Sequence, residues 1–476
     1  MKRWAIILTA LVLTGCVHYQ PRSLDAAKRA DDFEARRLDG DGLRTFIGKN
    51  LGHELAPWPP QRWDLEQLTL AAYYFHPSLD VARAQWRVAE GAAISAGARP
   101  NPTVSFAPGF TANSPAGISP WLMAVGFDWP VETAGKRNLR VMQAQHLVRV
   151  TRLNLITVAW QVRAKVRDNL TAYRFAGAQT GTLGEKVGLQ KEIVTKLEAR
   201  LKAGAISLLE VTPARVMLGK LESDLGVAHE NEADAAARLA EAIGIPLHVF
   251  SSATKEMMLY TPQLSDAQLA EAKQRALLNR SDLLAALAEY DASEVALRLE
   301  IAKQYPDVRL SPGYEYDQGA NKWRLGLSLE LPVLNRNQGP IAAAKAKRDE
   351  SVARFTELQA KVISEIDAAT QSFQQTRRRH LDLIPTVNAE MNHEHAMEAQ
   401  VRAGAAEPLD LLSVRLERLN GVALLEESGH RSEVAFGQLE DAVQSCMVGL
   451  EQRKVVIAPA PPEHLEINPR QEEDQP

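Results

Sequence analysis

The sequence predicts a mainly α-helical protein with a small membrane-spanning β part, built as two tandem copies of one unit. Three observations predict it. The first is an internal echo: Glu198-Ala199-Arg200-Leu201-Lys202-Ala203-Gly204-Ala205 returns 200 residues later as Glu398-Ala399-Gln400-Val401-Arg402-Ala403-Gly404-Ala405. Leu209, Glu210, Arg215 and Leu239 reappear at the same offset as Leu409, Asp410, Arg415 and Leu439, and Pro102 to Phe110 matches Pro306 to Tyr314 at an offset of 204. The second is a proline-free stretch between Val131 and Thr212 with apolar residues at helical spacing, as in Val158, Val162, Val166, Leu170 and Tyr173. The third is a pair of segments that alternate with period two, centred on Val125 and Leu327.

The elements follow in order. Lys2 and Arg3 precede a short apolar run from Trp4 to Leu13, too short to span a bilayer, and then Leu13-Thr14-Gly15-Cys16. This resembles the bacterial lipoprotein signal. The resemblance implies removal of residues 1–15, lipidation of Cys16, and, with Val17 following, onward transport to the outer membrane. An ordinary signal peptide with an incidental cysteine is the alternative. Loss of Lys2 and Arg3 moves the formal charge from -4 to about -6, and nothing points to nucleic acid. Cys446 is the only other cysteine, so with Cys16 lipidated no internal disulfide can form.

Residues 16–62 read as an extended leader ending in Pro57-Trp58-Pro59-Pro60. The first repeat covers 63–246, a linker 247–264, the second repeat 265–451, and a proline-rich acidic tail 452–476 reads as disordered. Each repeat has the order helix, two strands, very long helix, tight turn, helix. A single helix of about 65 residues would reach roughly 100 Å. Gly177, Gly181, Gly184 and Gly188 either weaken it or permit close packing. The second long helix runs from about 341 to 402 with Pro385 as a kink, and Leu409, Leu412, Leu416, Leu419 and Ala423 form a coiled-coil seam after Pro408.

Strands are expected near 103–111, 121–131, 307–317 and 323–333. From Trp121 to Trp129 and from Trp323 to Leu331 every odd residue is large and apolar, while Asp128, Arg324, Ser328 and Glu330 face the other way. Their length and terminal tryptophans suit a tilted membrane strand; a water-soluble sandwich is the alternative. Four strands cannot close a membrane barrel, which needs about eight. Open edges in lipid leave amides without partners, so several chains must share one barrel.

Taken together, the lipoprotein signal, the two strand pairs, the two long helices and the two repeated turns resemble the TolC-type outer-membrane efflux factors. The junctions Glu132-Thr133-Ala134-Gly135-Lys136-Arg137 and Pro332 to Pro340, with Asn335-Arg336-Asn337-Gln338-Gly339, are similar to those of the outer-membrane component of cobalt-zinc-cadmium resistance systems. The resemblance implies a homotrimer whose twelve-stranded barrel continues into a helical tunnel, a periplasmic adaptor, and an inner-membrane resistance-nodulation-division transporter. The expected function is an outer-membrane, lipid-anchored exit duct. A multidrug or secretion duct of the same fold and, from another class, a structural coiled-coil lipoprotein are the alternatives.

Gly135 and Gly339 are expected to turn the chain from strand to long helix, with Asn337 and Arg336 as capping and turn residues and a contact with cargo as the alternative. Lys202, Ala203, Gly204 and Ala205, and Arg402, Ala403, Gly404 and Ala405, form the far turns. By resemblance they receive the adaptor, although turns shaped only for folding would also need the glycines. Asp410 matches the first of two acids that gate the family's tunnel mouth, Ser413 stands where the second is expected, and Glu210 is Asp410's counterpart. Met391, His393, His395 and Met397 form two i, i+4 pairs that suit a soft metal ion, against the plainer reading of a solvated helix face. No phosphate loop, nucleophile elbow, Cys-x-x-Cys pair or His-Glu-x-x-His helix occurs, so neither an enzyme nor a cofactor is expected.

Overall fold

The structure, a computed structural model, describes residues 19–253, 256–258 and 264–446. The signal segment, Cys16 and the tail lie outside the described residues. Within them the first repeat comprises α3 (Leu65–Phe75), α4 (Pro77–Gly97), β2 (Thr103–Phe110), β3 (Trp121–Val131), α5 (Lys136–Lys202) and α6 (Leu208–Ile243). The second comprises α8 (Asp266–Asn279), α9 (Ser281–Ala302), β5 (Val308–Asp317), β6 (Ala320–Leu329), α10 (Gln338–Arg402) and α11 (Pro408–Val443). The order of parts is the same in both.

Duplication extends to the cores. Val162, Val166, Leu239 and Ile243 are buried between α5 and α6, and Val362, Ile366, Leu439 and Val443, each 200 positions on, are buried between α10 and α11. One apolar stripe per helix therefore generates two equivalent seams. The glycines of α5 do not break it; at Gly181, Gly184 and Gly188 an added Cβ would meet nothing within 4 Å, so no close packing within the chain requires them.

The leader differs from expectation. It folds into α1 (Ala26–Glu34), α2 (Asp41–Leu51) and β1 (Arg62–Asp64). Leu43, Phe46, Ile47 and Leu51 of α2 recur at helical spacing and, with Leu38 and Trp63, are buried in the first core. Burial at about 1.5–3 kcal/mol per large side chain outweighs the polar composition that suggests an extended segment. Arg36 fastens the leader, its Nη1 donating to the carbonyls of Phe75 at 2.9 Å and Gly244 at 2.5 Å. The inter-repeat linker is likewise structured where described, with α7 (Leu247–Ala253) and β4 (Glu256–Met258), the latter pairing in parallel with β1.

The other four strands form one antiparallel sheet in the order β2-β3-β5-β6. A two-residue turn, Gln318-Gly319, with φ of 50° and 106°, joins β5 to β6, the positive angles that match a hairpin's twist. The expected fourth strand, 323–333, is observed at Ala320–Leu329. Leu329 pairs with Val308, the first residue of β5, so residues 330–333 have no ladder partner in this chain, and Pro332 has no N–H to offer.

Candidate functional site: the two-faced sheet and the hairpin tips

The register places the large apolar side chains of the sheet, Leu122 apart, on one face. Phe106 lies opposite Val125, which lies opposite Tyr314, which lies opposite Trp323; Trp129, Leu310 and Leu327 form a parallel row. No described element covers this face, and Trp323 and Leu325 are 80% and 78% exposed. Left in water at about 2 kcal/mol each, such side chains would forfeit more than the 5–15 kcal/mol by which a whole domain is stable. A sandwich would bury this face under a second sheet, and no sheet covers it among the described residues.

The opposite face is polar and its charges are paired across strands. Arg309 bonds Asp128 at 2.8 Å, Lys322 bonds Asp317 at 2.6 Å, and Arg324 bonds Glu315 at 2.9 Å. Sequence reading finds the facing of Asp128 and Arg324 but not the pairing. The signal is there: Glu315/Arg324 and Asp317/Lys322 are diagonal neighbours about the Gln318-Gly319 turn. Both outer edges, β2 and β6, remain unpaired.

Below the sheet, the strand-helix junctions use αL residues at the helix starts, Gly135 at φ 68° and Asn337 at φ 62°. Gly339 lies inside the first turn of α10 without a positive φ, so Asn337 takes the role expected of Gly339. Its side-chain amide offsets the strained angle by donating to the Glu300 carbonyl at 2.8 Å and carboxylate at 2.9 Å. Lys136 crosses to the second repeat, bonding the Tyr305 carbonyl at 2.6 Å and Asp307 at 2.8 Å.

At the far end both turns are built alike. Ala205 N–H donates to the Arg200 carbonyl and Gly204 N–H to Leu201; Ala405 donates to Gln400 and Gly404 to Val401. These are paired Schellman stops, and Gly204 and Gly404 sit at φ 70° and 72° as they require. Glu210 accepts from the backbone N–H and the hydroxyl of Ser207, both at 2.9 Å, which holds its carboxyl below the usual range. Asp410 accepts from the Glu407 N–H at 3.2 Å. The two gate candidates thus each cap a helix start. Arg200 reaches Glu407 at 2.8 Å, which brings the turns together.

The echoed charges have partners within each hairpin: Arg215 with Glu198 at 2.7 Å, Arg415 with Glu398 at 3.7 Å. Fold therefore accounts for that part of the echo. It does not account for Leu209, which projects from the first tip 81% exposed. Met391, His393 and His395 are exposed on α10, and among the described residues no three His, Cys, Asp or Glu side chains converge to hold a metal ion.

Between tips and sheet, charged groups are buried in the seam joining α5 to α11, a feature with no signature in the local sequence. Arg163 donates to Glu440 at 3.1 Å, and Arg167 grips Asp441 at 3.0 and 2.6 Å, with Trp160 Nε1 on the same carboxylate at 3.1 Å. Gly437 leaves room for it: a Cβ there would lie 2.3 Å from Arg167 Nε. Further along, burial pushes the carboxyls of Glu426 and Glu433 up, against the bonds from Thr182 and Arg174 that favour ionisation. A carboxyl raised in the folded state contributes stability that is present at low pH and lost as pH rises through its titration. Glu433→Gln is therefore expected to flatten the fall in thermal stability from mildly acidic to neutral pH, measured by melting in detergent; an unaltered slope contradicts this.

Comparison with known proteins agrees with this geometry. The profile of the outer membrane efflux protein family matches residues 72–245 and 272–420, most of the chain. The chain belongs to the outer membrane efflux protein family. A curated relative, the cobalt-zinc-cadmium resistance protein CzcC of Cupriavidus metallidurans, is 26% identical over 224 residues, 47% of this chain, which thus spans about half (53%) of that relative. The outer-membrane channel OprN superposes with a TM-score of 0.64 at 17% identity over 90% of this chain and 98% of its own. CusC gives 0.64 at 15% over 90% and 99%, and VceC of Vibrio cholerae 0.64 at 21% over 80% and 95%. The fold is that of these channels.

Proposed function

We propose that three copies of this chain close one twelve-stranded barrel in the outer membrane, and that their long helices continue it as a duct across the periplasm. The observation that carries this reading is the sheet: one uncovered apolar face, one paired polar face, two unpaired edges. Lipid meets the first, water the second, and identical neighbours the third. Cys16 anchors each copy by its acyl chains. The duct conducts and catalyses nothing; energy comes from an inner-membrane resistance-nodulation-division transporter, joined through a periplasmic adaptor that docks at Lys202–Ala205 and Arg402–Ala405, with Leu209 as an apolar contact.

The cargo is heavy-metal cations, a reading supported by the name of the CzcC relative. A strain lacking this chain should lose tolerance to cobalt, zinc or cadmium; loss of drug tolerance with metal tolerance intact favours a multidrug duct instead. Asp410 of three copies would ring the tunnel mouth and concentrate negative potential there. Asp410→Ala should raise single-channel conductance in planar bilayers and weaken block by multivalent cations, and unchanged conductance and block would remove it from the gate.

A further inference from the structure

Exposed apolar side chains continue past the end of the last strand of the sheet. Leu331, Val333 and Leu334 follow β6 and are 67%, 72% and 97% exposed. In the first repeat the matching residues, Trp129 and Val131, are paired with Leu310 and Val308 of β5; Leu331 and Val333 have no such ladder partner. Beyond Leu329 the chain leaves the ladder and turns about Pro332, where the Val333 N–H donates to the Leu331 carbonyl at 2.9 Å, so these side chains stand exposed at the foot of the sheet and outside its period-two register.

Arg336 comes next. It is exposed, and its backbone N–H is engaged by Gln338. Arg99, also exposed, stands just before β2 on the opposite edge of the sheet. Neither guanidinium joins an ion pair among the described residues. Chain direction decides which ends of the edges meet: β6 runs down into α10, whereas β2 rises from α4. Where the β6 edge of one copy meets the β2 edge of the next, Arg336 and Arg99 come to the same periplasmic end of the seam, beside the three apolar side chains.

We propose that this seam binds an anionic phospholipid of the periplasmic leaflet, with Arg336 and Arg99 on its phosphate and Leu331, Val333 and Leu334 against its acyl chains. The site rests on the trimeric reading above. The place of the three apolar side chains in the chain, directly after the strand whose apolar face is uncovered, selects a membrane lipid as the occupant. The planar guanidinium fork suits a phosphate, and a cation held beside exposed leucines is the arrangement of a bilayer interface.

Native mass spectrometry of the detergent-purified protein, titrated with phosphatidylglycerol or phosphatidylcholine, tests it. The expected result is a three-chain particle that prefers phosphatidylglycerol, and an Arg99→Gln/Arg336→Gln variant that remains three-chain while binding phosphatidylglycerol about tenfold or more weakly, as loss of two cations at an anionic surface implies. Equal affinity for the two lipids, or unchanged affinity in the variant, overturns the site. A wild-type particle that is not three-chain rejects the assembly first, and the site with it. A nitroxide on Leu334→Cys in a Cys446→Ser background should be reached by oxygen and shielded from a polar nickel reagent; shielding from both means a neighbouring copy covers this patch, which also overturns the site.

Discussion

Arg167→Met is expected to destabilise the protein by about 3–5 kcal/mol, because it breaks a buried ion network by removing one partner. The side chains of Arg167 and Glu440 are 3% and 1% exposed, and Arg167 is the group that engages Asp441 through both terminal nitrogens. With it gone, Asp441 loses its forked contact and is left to the Trp160 indole, while buried Glu440 loses a guanidinium 3.7 Å away. A methionine fills the volume but offers no donors. Arg167→Lys keeps the charge yet cannot make the forked contact, so it should fall between wild type and Arg167→Met. Thermal melting in detergent and the amount of folded protein in cells both read this out. Equal melting of wild type and Arg167→Met would mean that the contacts of Arg167 do not hold the seam between the repeats.

The second large effect is expected at the sheet. Leu325→Arg puts a charge on the uncovered face, where a bilayer midplane position costs about 2–4 kcal/mol per copy, incurred three times in a trimer. Ser105→Arg puts the same charge on the polar face, near Asp128, where water and an acid are available. The first variant should fail to give a heat-stable oligomer in the outer-membrane fraction, and the second should assemble. Were both to assemble equally, the apolar face would not lie in lipid.

Whether an element is legible in the sequence depends on the range of the forces that form it. Period-two alternation from Trp121 to Trp129 and helical spacing from Val158 to Tyr173 are local signals, so β3 and α5 can be read directly. The turns are legible because Gly204 and Gly404 repeat with their neighbours and the αL stop needs glycine. The leader is not: its α2 stripe of Leu43, Phe46, Ile47 and Leu51 is short, and only packing on the first core reveals its use. Arg163 and Arg167 meet Glu440 and Asp441 across more than 270 residues of chain, a separation no local window spans, although both sets adjoin core positions, Val162, Val166 and Leu439. The end of β6 is set by its register with β5, whose first residue, Val308, pairs with Leu329. The choice of Asn337 over Gly339 depends on a bond to Glu300 that only the folded junction supplies.

The central claim is that this sheet is a third of a wall. Mass photometry of the full-length protein, extracted from membranes in mild detergent and again in lipid nanodiscs, tests it most directly. Three chains per particle is the predicted result. One chain per particle in both media, with Trp121 and Trp323 unquenched by brominated lipid, would contradict it.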